Sequence, residues 1–100
     1  MKINTRIPVN DLKGAPLRCG EGFLDVGTVI AEAMLSTKPD QKLSADEQIS
    51  RFTTATDVIN EAEINVDAKM FTTIKESIAT HFTPLVAGQV LKYLNEVESK

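Results

Sequence analysis

Cys19 and His81 are the only cysteine and the only histidine in 100 residues, and they bound the chemistry open to this chain. A thiol becomes a nucleophile when a base or a cationic environment deprotonates it, so the one couple available is Cys19 with His81. Nothing in their spacing brings the two together. A single cysteine allows no internal disulfide, and one cysteine with one histidine falls short of a zinc ligand set. His81 lies at the end of a predicted helix, where a positive ring suits the negative pole of the macrodipole. The expectation is a chain with no cofactor and no metal that is not an enzyme.

The remaining candidates are weaker. The run Asp57 to Asp67 has the acidity of a calcium loop but not its spacing. Counted from Asp57, the third, sixth and twelfth positions hold Ile59, Ala62 and Ala68, where an oxygen ligand, a glycine and a bidentate glutamate are needed. Counted from Asn60 they hold Ala62, Asn65 and Phe71. A plain connection between helices, with Ile64 and Val66 tucked inward, is the simpler reading. Gly20, Gly22 and Gly27 do not form a dinucleotide fingerprint, and Glu21 would repel a phosphate. The pairs Glu61/Glu63 and Glu96/Glu98 fall near helix ends and read as solvated.

Charge narrows the partners. Eleven Lys and Arg against fourteen Asp and Glu give −3, which argues against nucleic acid as the main ligand, since phosphate neutralisation supplies most of that affinity. A recognition helix over Ala68 to Phe82 would carry only Lys69 and Lys75, and no arginine. The exception is local: residues 1–20 hold Lys2, Arg6, Lys13 and Arg18 against Asp11 alone, a candidate basic arm. Residues 21–50 are correspondingly acidic. The first residues contain no apolar core of a leader, and no stretch is apolar enough to span a membrane, so a cytoplasmic protein is expected.

These residues must be positioned by one small domain, since 100 residues with 42% apolar content support a single core. Residues 1–25 read as a β-hairpin or loop-rich arm. Alternation around Ile3, Ile7 and Val9 suits a strand that Pro8 ends or confines to an edge, and Leu17-Arg18-Cys19 turns back into Phe23. Residues 26–98 read as a bundle of about four helices, so the fold class is mainly α (α+β). Val26, Val29, Ile30, Ala33 and Met34 form one stripe of a helix near 27–36, capped by Asp25 or Thr28 and broken by Pro39. Ser44-Ala45-Asp46-Glu47 is a capping box opening a second helix to about Asn60, with Ile49, Phe52, Ala55 and Ile59 as its inward face. Asp67 caps a third, with Met70, Phe71, Ile74, Ile78 and Phe82 inward. Thr83-Pro84 opens a fourth as N-cap and N1. Its apolar positions cover more than half its surface, which places it at the centre of the core or partly in a partner, the core being the simpler case. Ten threonines, many inside helices, mean that packing rather than propensity holds these helices.

Several segments carry a resemblance. They are Ile7-Pro8-Val9-Asn10-Asp11-Leu12-Lys13-Gly14-Ala15-Pro16-Leu17, Val26-Gly27-Thr28-Val29-Ile30, Lys42-Leu43-Ser44-Ala45-Asp46-Glu47, Ile64-Asn65-Val66-Asp67 and Thr83-Pro84-Leu85-Val86-Ala87-Gly88-Gln89-Val90. In order and spacing the chain resembles small proteins encoded by tailed bacteriophages and prophages, over nearly its whole length. The resemblance implies an origin in a host bacterial cytoplasm rather than a mechanism, and it brings no functional residues with it. The expectation is a non-enzymatic accessory protein that binds a host or viral protein, with a homodimer through the last helix as a natural form of it. Its candidate contacts are Val86, Val90, Tyr93 and Val97 on the last helix, together with the glycine-rich arm. The alternative is a regulatory or replication accessory touching nucleic acid through Lys2, Arg6, Lys13 and Arg18.

Overall fold

Local hydrogen bonds set the helix starts. In the computed structural model, which describes residues 1–20, 22–36 and 42–99, the Asp25 carboxylate accepts from Thr28 N–H and opens α1 (Val26–Leu35). Ser44 and Glu47 form the reciprocal box that opens α2 (Ala45–Asn60). Asp67 accepts from Met70 N–H and opens α3 (Ala68–His81). Pro84 stands at N1 of α4 (Pro84–Glu98), whose N-cap Thr83 makes no side-chain bond and whose Thr83 carbonyl accepts from Val86 and Ala87 instead. The fold is mainly α with some β, as expected. The chain break expected at residues 37–40 lies outside the described residues.

The β structure is arranged differently from the expectation. Only Lys2–Asn4 is a strand at the start (β1). Arg18–Cys19 (β2) and Gly22–Phe23 (β3) do form the small antiparallel pair that the arm suggested. The partner of β1 is Glu63–Asn65 (β4), in antiparallel register Lys2↔Asn65, Ile3↔Ile64, Asn4↔Glu63. The segment read as a plain helix connection is thus a strand. Its inward Ile64 is buried as predicted and Val66 is half-buried.

Nor do the first residues project as an arm. Ile3, Thr5 and Val9 are completely or almost completely buried. The Thr5 hydroxyl donates to Glu61 O, Thr5 N–H donates to Ala62 O (2.9 Å), and Gly27 N–H donates to Thr5 O (2.8 Å). Further along, the Gln89 amide accepts from Asn10 N–H (2.9 Å) and donates to Asn10 O, which pins the segment to α4.

α1 is the centre of the molecule, packed by α2, α3 and α4 and buried on nearly all sides. Its approach to α2 is close enough to exclude a methyl group. A Cβ at Gly27 would lie 2.6 Å from Val58 O and 2.9 Å from Thr5 O, both backbone atoms. Arg51 of α2 extends this contact, donating to Met34 O (3.4 Å) at the negative end of α1 and to Ser77 Oγ (3.2 Å) of α3. Among the described residues no helix is long and apolar enough to cross a membrane.

Candidate interaction surface

α4 does not present the face expected of it. Val90 is 1% exposed, so it belongs to the core and cannot be a surface contact. Val86, Tyr93 and Val97 are half-buried and packed against the same core. The Tyr93 hydroxyl accepts from Asn4 N–H (2.9 Å), which ties the ring to the edge of β1. Most of the apolar surplus of this helix is therefore absorbed within the chain, against α3, α1 and β1, while Leu85 stays exposed.

The surplus appears instead on α2, where the inward face differs from the expected one. Thr54, Ala55 and Val58 are buried, while Ile49, Phe52 and Ile59 are 63%, 65% and 46% exposed. Ala55 is the one member of the expected face that points inward. The reason is the close α1–α2 approach at Gly27: small or β-branched side chains fit between the two backbones, and a phenyl ring does not. Ile49, Phe52, Thr56 and Ile59 follow one another at spacings of three, four and three, which lines them up along one side of the helix. The Thr56 hydroxyl donates to Phe52 O (3.0 Å), so this residue adds no unpaired polar atom to the stripe.

The stripe itself carries no charged residue. Arg51 is turned inward onto Met34 O and Ser77, exposed Thr53 and Asn60 beside the stripe are neutral, and exposed Asp57 stands farther round the flank. Charged groups stand at the two ends of the helix. Asp46 lies in the first turn of α2, and the Arg6 guanidinium donates to Ile59 O (3.1 Å) in its last turn. Depletion of charge with retention of large apolar side chains is the compositional mark of an interface core. Sequence reasoning missed this face because the 3-4-3 spacing is shared by a core-facing stripe and a seam between chains.

The four basic residues are dispersed in their bonding. Lys2 is 3.6 Å from Glu63, Arg6 sits on the end of α2, Lys13 N–H donates to Asp11 at a turn, and the Arg18 guanidinium lies 5.6 Å over the Phe23 ring. His81 is in the last turn of α3, with Nε2 3.4 Å from Ser36 Oγ and its ring edge-on to Phe82. The Cys19 side chain lies outside the described residues. Among those described, no cluster of three or more His, Cys, Asp and Glu side chains could hold a metal.

A cleft of about 390 Å³ lies between the first turns of α2 and α3 and is lined by Asp46, Glu47, Arg51, Asp67, Lys69 and Met70 among others. Several of its polar groups are already engaged. Glu47 accepts from Ser44 N–H, Asp67 accepts from Met70 N–H, and Arg51 is bonded inward. The bond from the Ser44 amide, then that from its hydroxyl, hold the Glu47 carboxyl below the usual glutamate value.

No protein-family model, no curated protein and no solved structure matches the chain. What the fold defines is a class, a small mainly α domain with a two-stranded clasp between its start and its middle.

Proposed function

We propose that this is a non-enzymatic binding protein that works by docking the outward face of α2 on another protein chain. The observation that carries the reading is the exposure of Ile49, Phe52 and Ile59 on one side of a helix that packs inward through Thr54, Ala55 and Val58. A scattered exposed leucine is ordinary, whereas three large apolar side chains in line with no charge among them favour a contact surface. The resemblance to phage and prophage proteins supports an accessory role in a bacterial host, with a host or viral protein as partner.

A photo-crosslinking residue placed at Phe52 tests this in producing cells. A discrete covalent product is expected from Phe52 and not from exposed Glu76 on α3. No product at Phe52, or the same products from both positions, would sink the reading.

A second reading has one observation in its favour. Phe23 is 60% exposed with Arg18 stacked over it, a pair able to take an unstacked base. Against it stand the engagement of Lys2 by Glu63 and of Arg6 by Ile59 O, and the net charge of −3. Binding to single-stranded nucleic acid that falls steeply with salt and is lost in Phe23→Ala would raise it above the first.

A further inference from the structure

We draw no further inference here: the strongest candidate, the occupant of the apolar stripe Ile49, Phe52 and Ile59 on the outward face of α2, carries nothing beyond the surface already described, because nothing in the structure shows what covers it.

Discussion

α1 and α2 look alike in their patterning and end in opposite environments. Both carry apolar residues at helical spacing behind a well-formed N-cap, yet α1 has all five of its striped residues buried, and α2 turns three of its four outward. The difference lies in the alternatives each helix had. α1 is apolar or small nearly all round, so any rotation buries it. α2 offers two usable faces: a large one through Ile49, Phe52 and Ile59, and a slim one through Thr54, Ala55 and Val58. The slim face won because it lets α2 approach Gly27 and brings Arg51 within reach of Met34 O and Ser77. Close approach between backbones selects small side chains, and the larger face is left for a contact outside the fold.

The sharpest break between the two helices comes from truncating their apolar residues. Ile30→Ala in α1 should cost about 3–4 kcal/mol in a urea titration, since the side chain is wholly buried and leaves a cavity. Gly27→Ala should cost about 2–3 kcal/mol, because the atoms it meets are backbone carbonyls held by other elements. A melt unchanged by Gly27→Ala would mean that the α1–α2 approach is looser than described. Ser44→Ala removes one member of the capping box from α2 and should cost about 1 kcal/mol. At the other extreme, Phe52→Ser should change the stability of dilute protein by no more than about 0.5 kcal/mol, since the ring is mostly in water. A loss of several kcal/mol there would restore the face first read from the pattern.

Acid sharpens the comparison at the N-terminal end of α2. The Ser44 amide and hydroxyl lower the pKa of Glu47 in the folded state relative to the unfolded chain. Its contribution is therefore complete above the unfolded value and is lost as pH falls through the folded one. The stability difference between wild type and Glu47→Gln should be largest near neutrality and shrink in acid once the pH falls below the ordinary glutamate value, as read from denaturant titrations across pH.

The starts of the helices were legible in the residues because a cap is decided within four positions. Asp25, Ser44 with Glu47, Asp67 and Pro84 each act on amides that the chain itself places beside them. The β2–β3 turn was legible for the same reason. The β1–β4 pairing was not, since it joins the first residues to the middle of the chain, and three-residue strands carry too little pattern to name a distant partner. The surface residues followed this division. Val90 was read as a contact because α4 is apolar over a wide arc, and part of what covers that helix, β1 and the segment at Asn10, comes from the opposite end of the sequence.

Local chemistry, then, determined where each helix begins, that the chain is mainly α, and which positions within α1 and α3 are apolar enough to be buried. Tertiary structure alone decided which side of α2 faces inward and what covers α4. Those choices depend on how closely two backbones can approach, and that distance is set at Gly27, Thr5 and Val58 by three segments that meet only in the folded chain.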